Sequence, residues 1–194
     1  MRSSATMRSY FCFRHFLAIG VLALAIAIPA FARAQDSSSN AAKARSLVDA
    51  AIKMTNSDEA VKLLWQATDI DPTLEDSYVY LGLYYNSRSD FANVVKVYQK
   101  LVKYNPNQAS AYLNIGEAYM SFSPPRAGDA LVYYRKAYEV DPKNTFAALR
   151  IGQILAQNGS HDEAVKFLRQ ALADTSNPSV SSQAEKTLRD MNAL

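Results

Sequence analysis

Apolar residues recur along this chain in a pattern that repeats about every 34 residues. The pattern is a tetrad of aromatic, aliphatic, glycine and aromatic residues, spaced so that all four lie on one side of a helix. Two copies are complete, and a third has lost both aromatics. A period of this length predicts a solenoid of stacked helical hairpins, in which each hairpin buries its apolar face against its neighbours. The copies are Tyr78, Leu81, Gly82 and Tyr85; Tyr112, Ile115, Gly116 and Tyr119; and Ala148, Ile151, Gly152 and Leu155.

A second apolar pattern alternates with the tetrads, and most of its copies are followed by a proline. Because proline lacks a backbone N–H and stops a helix, these prolines predict the turns between hairpins. We therefore expect four pairs of helices, at about 42–54 and 58–70, 75–87 and 91–104, 109–121 and 125–140, and 145–157 and 161–173. The copies are Ala60, Leu64, Ala67 and Pro72; Val94, Tyr98, Leu101 and Pro106; Ala130, Tyr134, Ala137 and Pro142; and Ala164, Leu168 and Ala171.

The residues after the last pair predict one further helix. Val180, Ala184, Leu188 and Met191 fall on one stripe at helical spacing, and the opposite side is polar. A helix of this kind caps a solenoid, because it turns its apolar stripe to the last hairpin and its polar side to water.

The two patterns together resemble the tetratricopeptide repeat family, whose consensus is Trp-x-x-Leu-Gly-x-x-Tyr, then Ala-x-x-x-Phe, then Pro. The resemblance covers roughly residues 41 to 174. It implies an all-α fold, a right-handed superhelix of about four hairpins at 41–74, 75–108, 109–144 and 145–178, with a capping helix at 179–194. In this scheme Gly82, Gly116 and Gly152 allow close helix approach. The tyrosines of the tetrads fill the space between adjacent hairpins.

The chain departs from the consensus at both ends and in one loop. The first repeat is degenerate, with Ala44, Leu47, Val48 and Ala51 in the tetrad slots. The third repeat is two residues longer, and the extra length falls in 121–126, which contains a Pro-Pro pair. We interpret this segment as a tolerated loop insertion, and the alternative is that Phe122 and Arg126 contact a partner.

The amino terminus predicts export. Three arginines precede an uncharged apolar run over residues 16–32, which ends in Ala-Arg-Ala. This combination is typical of a secretory signal peptide, here 1–34, followed by a polar linker at 35–40. The alternative is that this segment is an uncleaved membrane anchor. The sequence leaves open whether translation starts at Met1 or at Met7. We expect a periplasmic or secreted protein of a bacterial envelope, with no membrane insertion after signal cleavage.

Removal of this leader changes the charge of the chain. The whole sequence has 21 Lys and Arg against 18 Asp and Glu, but four of the basic residues belong to 1–34. The remainder therefore carries 17 − 18 = −1, which provides no electrostatic footprint for nucleic acid. The single cysteine, Cys12, also lies in the leader, so no disulfide framework is expected.

The sequence offers little for catalysis. His161 is the only histidine after the leader, and we expect it to pack at a hairpin turn. Acidic pairs such as Asp58 and Glu59 lie at predicted helix ends, where they favour the helix macrodipole. Glycine-rich phosphate loops and His/Cys metal clusters are absent from the sequence. We predict that the chain is not an enzyme and needs no cofactor or metal.

The family resemblance implies a binding role instead. In such proteins the first helix of each hairpin lines a concave groove that binds partner peptides. The expected function is a non-catalytic interaction module that binds a peptide or helix, and the alternative is a self-associating, homo-oligomeric scaffold of the cell envelope. Neither repeat frame completes the set of cations that captures chaperone C-termini. The residues in the groove slots are Val79, Tyr80, Leu83 and Asn86; Leu113, Asn114, Glu117 and Met120; and Phe146, Leu149, Arg150 and Gln153.

Overall fold

The computed structural model describes residues 36–55 and 57–194, and in these ranges it contains nine α-helices and no β-strand. The predicted signal peptide at 1–34 lies outside the described residues. The helices are α1 (36–52), α2 (Ser57–Ile70), α3 (Glu75–Ser87), α4 (Phe91–Tyr104), α5 (Ala109–Met120), α6 (Ala127–Val140), α7 (Thr145–Gln157), α8 (His161–Leu172) and α9 (Pro178–Asp190).

Each helix from α2 onward packs on the next helix in the chain, and α9 also contacts α7. Because each helix contacts the helix that follows it in the chain, the hairpins stack one after another into a superhelix. The predicted all-α solenoid is confirmed. The apolar stripe of α9 is buried against the preceding hairpin through Val180, Ala184 and Leu188.

The glycines of the tetrads act as the sequence indicates. A Cβ atom added to Gly116 would lie 2.5 Å from Cε1 of Tyr134, and one added to Gly152 would lie 2.6 Å from Cγ of Leu168. These distances are shorter than any normal carbon contact, so only glycine lets the two helices of a hairpin approach this closely. Tyr134 and Leu168 are fully buried where they contact these glycines.

Several helix bounds differ from the prediction, among them those of the first helix and of α6. Residues 36–40, predicted to belong to a polar linker, are helical. No proline or glycine interrupts the chain over 36–52, so nothing in this segment breaks a helix. Helix α6 begins at Ala127 instead of residue 125, because the N–H of Arg126 donates to the carbonyl of Tyr119 at 2.9 Å and holds the preceding loop against α5.

The loop over 121–126 is packed on its own chain. The ring of Phe122 lies 5.9 Å from that of Tyr119 and 6.3 Å from that of Phe91, measured between centroids. The guanidinium of Arg126 lies 4.8 Å from the centroid of Tyr119 and forms a salt bridge to Asp129 at 2.8 Å. These contacts favour the interpretation as a packed insertion.

Candidate partner-binding groove

The predicted groove residues lie on α3, α5 and α7, the first helices of the second, third and fourth hairpins, and we call their surface the groove face. Its α3 end is the most exposed part. Val79, Tyr80 and Leu83 are 45%, 39% and 61% exposed, and Asn86 is exposed as well. The residues toward α7 are half-buried: Leu113, Asn114, Glu117, Met120, Phe146, Arg150 and Gln153.

Leu149 does not belong to the groove face, and its prediction as a binding residue is wrong. Its side chain is fully buried in the same apolar cluster as Val180, Ala184 and Leu188. The reason is α9, which packs against α7 and covers a position that is open on α3.

Two residues outside the prediction extend the α3 end of the groove face. Ile52 at the end of α1 is 49% exposed, and Met54 just after it is 40% exposed. We define the N-terminal apolar patch as Ile52, Met54, Val79, Tyr80 and Leu83. Ile52 and Met54 come after the last tetrad slot of the degenerate first repeat, so the repeat pattern does not place them on the groove face. The available signal was two large apolar residues at a predicted helix end.

A pocket of about 180 Å³ opens within this patch, between α1, α2 and α3. The described residues of its walls are aliphatic or aromatic apart from one serine, and none of them is charged. At its edge the hydroxyl of Tyr84 donates to Asp58 at 2.8 Å, and this hydrogen bond is the main reason that the pKa of Tyr84 is raised. The lining residues are Ala51, Ile52, Met54, Ser57, Ala60, Val61, Leu64, Tyr80 and Tyr84.

A polar cluster occupies the middle of the groove face and joins two hairpins. The guanidinium of Arg150 on α7 donates from Nε and Nη2 to the two carboxylate oxygens of Glu117 on α5, each at 2.7 Å. The buried hydroxyl of Tyr134 donates to the same carboxylate at 2.6 Å. Burial, and then this hydrogen bond, raise the pKa of Tyr134 far above its ordinary value. The carboxylate that pairs with Arg150 thus comes from within the chain.

We expect Glu117→Gln to lower the free energy of unfolding by about 1 kcal/mol. The substitution keeps the shape of the side chain but removes the negative charge from a half-buried, bidentate ion pair. The side chains of Arg150 and Glu117 are 28% and 37% exposed, so solvent screens the pair only in part. Urea titration followed by circular dichroism measures the change. The control is Glu185→Gln, which breaks the i,i+4 pair with Arg189 on the outer side of α9 and should cost less than about 0.5 kcal/mol. Equal losses in the two variants would contradict the role given to Glu117.

A second pocket, of about 380 Å³, lies at the other end of the stack between α7, α8 and α9. Gln153, His161 and Asp190 contribute polar groups to it. His161 is exposed there and is not packed into a hairpin turn as expected. Among residues 36–55 and 57–194, no group of three or more His, Cys, Asp or Glu side chains is placed to hold a metal ion.

Comparison with known proteins finds similarity to tetratricopeptide repeat proteins. A family model described as Tetratricopeptide repeat matches residues 126–190. The mouse protein named Tetratricopeptide repeat protein 21B is 26% identical over 125 residues, which make up 64% of this chain and 9% of the mouse protein. The chain spans less than a fifth of the length of the curated relatives that it matches.

Solved structures show the same fold. YrrB, described as a TPR protein with an unusual peptide-binding site, aligns with a TM-score of 0.56 and 18% identity over 76% of this chain and 77% of YrrB. The TPR2B domain of yeast Sti1, solved in a complex with pHsp70, aligns with a TM-score of 0.51 and 22% identity over 59% of this chain and 96% of the domain. In the described part of this chain, no helix has both the length and the apolarity that a membrane crossing requires.

Proposed function

We propose that this protein is an exported, non-catalytic interaction module whose groove face binds a segment of a protein partner. The observation that carries the proposal is the N-terminal apolar patch, where large apolar side chains stay exposed on adjacent helices. Exposed single apolar residues are ordinary on protein surfaces, but a contiguous group of them marks an interaction site.

The composition of the groove face supports a protein ligand. Its apolar end is followed by the amide groups of Asn114 and Gln153, which suit a peptide with both side-chain and backbone contacts. Tetratricopeptide repeat proteins generally mediate protein–protein interactions. Of the similar solved structures, YrrB is described as having a peptide-binding site, and the TPR2B domain of Sti1 was solved in a complex with pHsp70. The basic, apolar and Ala-Arg-Ala segments of residues 1–34 support export.

The test is site-specific photo-crosslinking in the protein's own cells. A photoreactive residue replaces Tyr80, Met120 or Phe146, with Val132 on the opposite helix α6 as an exposed control position. We expect one identified partner to crosslink from the three groove positions, to lose its crosslinks when Leu83 is changed to Asp, and not to crosslink from Val132.

Other crosslinking patterns contradict the proposal. If the groove positions crosslink only to another copy of the same chain, the protein is a self-associating scaffold and not a module that binds a partner. A partner captured only from Val132 would place the interface on the outer helices. Cell fractionation of the same strains tests export, and a product that keeps residues 1–34 and stays in the cytoplasm would overturn that part.

A further inference from the structure

We infer that the N-terminal apolar patch anchors an uncharged partner segment that carries at least two bulky apolar side chains. This inference rests on the proposed function and names the chemistry of the partner at one end of the groove face. The pocket between α1, α2 and α3 takes the first of these side chains, and the exposed surface of Val79 and Leu83 takes the second.

The shape of the patch requires two anchors. The floor of the pocket is made by the buried side chains of Ala51 and Leu64, and exposed Ile52, Met54 and Tyr80 stand around its mouth. A bulky aliphatic or aromatic side chain that enters removes its own surface and that of the rim from water. Val79 and Leu83 do not line the pocket; they lie one helical turn apart on α3, which also carries the pocket residues Tyr80 and Tyr84, and they form a second exposed apolar surface.

The pocket selects against a charged side chain. None of the described residues that line it is charged. At its edge Arg88 and Asp58 lie 3.7 Å apart and compensate each other, and Arg88 also donates to Ser57 at 2.9 Å and covers the ring of Tyr84 at 4.4 Å. A charged group that enters the pocket loses its hydration and meets an ion pair that is already neutral, so binding it is costly. An uncharged segment matches this electrostatic environment.

A second copy of the chain fits the patch less well. Outside the patch, the large apolar residues that are exposed in the described structure are Tyr104, Val132 and Leu194. They lie on α4, on α6 and after α9, so no two of them are neighbours on one helix. The described residues of another copy therefore do not offer two adjacent bulky side chains from a separate surface. Contact between two patches is an outcome that the test must distinguish.

The experiment pans a phage library of random peptides of about 12 residues against the protein as purified from its own cells. We expect the enriched peptides to carry two or more bulky apolar residues and no net charge. For the best synthetic peptide, Ile52→Asp and Leu83→Asp should each weaken the dissociation constant by about tenfold or more. The matched control, Val132→Asp, changes an equally exposed residue on α6 and should alter it by less than about twofold. Circular dichroism establishes that the three variants keep the fold.

Each other result overturns the inference in a recognisable way. Enriched peptides with acidic or basic clusters, whose binding still depends on groove residues such as Asn114 or Gln153, would leave the proposed function standing and remove the apolar anchor. Loss of affinity on Val132→Asp, or no enrichment at all, would count against both. A dimer that dissociates on Leu83→Asp would make a second copy the occupant of the patch.

Discussion

Replacing Tyr134 with alanine is expected to lower the free energy of unfolding by about 3–5 kcal/mol, the usual cost of removing a large buried aromatic side chain. Tyr134 is fully buried between the two helices of the third hairpin, against Gly116. Its loss leaves a cavity at the point where α5 and α6 approach most closely, and it also removes the hydroxyl that donates to Glu117. Urea unfolding monitored by circular dichroism measures the effect.

The control for this prediction is Tyr104→Ala, which removes the same atoms from an exposed position at the end of α4. It should change the free energy of unfolding by less than about 0.5 kcal/mol. Tyr134→Phe separates the packing of the ring from the hydrogen bond of the hydroxyl. This variant keeps the ring and should cost only about 1–2 kcal/mol for the lost hydrogen bond. A loss below about 1 kcal/mol for Tyr134→Ala would mean that the third hairpin does not depend on this ring.

The second large effect is expected from Gly116→Ala. The new methyl group would lie 2.5 Å from Cε1 and 2.7 Å from Cδ1 of Tyr134. The ring is enclosed and cannot move aside without disturbing its neighbours, so we expect a loss of about 1–3 kcal/mol from overpacking. This loss occurs although alanine is by itself the better helix former by about 1 kcal/mol. The shift in the urea concentration at the unfolding midpoint, with an unchanged m-value, measures this loss of stability.

Gly128→Ala is the matched control, because a methyl group there meets no atom within 4 Å. We expect this variant to be neutral or slightly more stable, since only helix propensity changes. The double variant Gly116→Ala with Tyr134→Ala tests the contact itself. The two losses should not add, because the new methyl group then enters the space that the ring has left. Simple additivity would show that Gly116 is needed for a reason other than Tyr134.

Much of the fold was predictable because hairpin solenoids depend on contacts between neighbours in sequence. The bounds of α3, α4 and α7 agree with the prediction residue for residue, and each of these helices lies between clear polar or proline-containing turns. The close approach at Gly116 followed from its place in the tetrad. The helical state of residues 36–40 and the start of α6 were less predictable, because a polar segment without breakers and a loop held by Arg126 have no strong pattern of their own.

The candidate site was predictable only in part. The family pattern places Tyr80 and Leu83 on the groove face, and they are exposed there. It does not reveal that Leu149 is covered, because the covering helix α9 lies about 30 residues further along and its docking position depends on the whole fourth hairpin. It also does not indicate that Ile52 and Met54 extend the apolar surface.

The sequence by itself therefore determined the class of fold, the order of the helices and the glycine contacts, since periodic apolar residues and small residues act locally. Tertiary structure decided which surface remains open and which charges are compensated. Glu117 and Arg150 are 33 positions apart and become a pair only when two hairpins stack. Exposure at α3 and burial at α7 likewise follow from the number of neighbours that each helix has, and a repeat pattern is the same in both places.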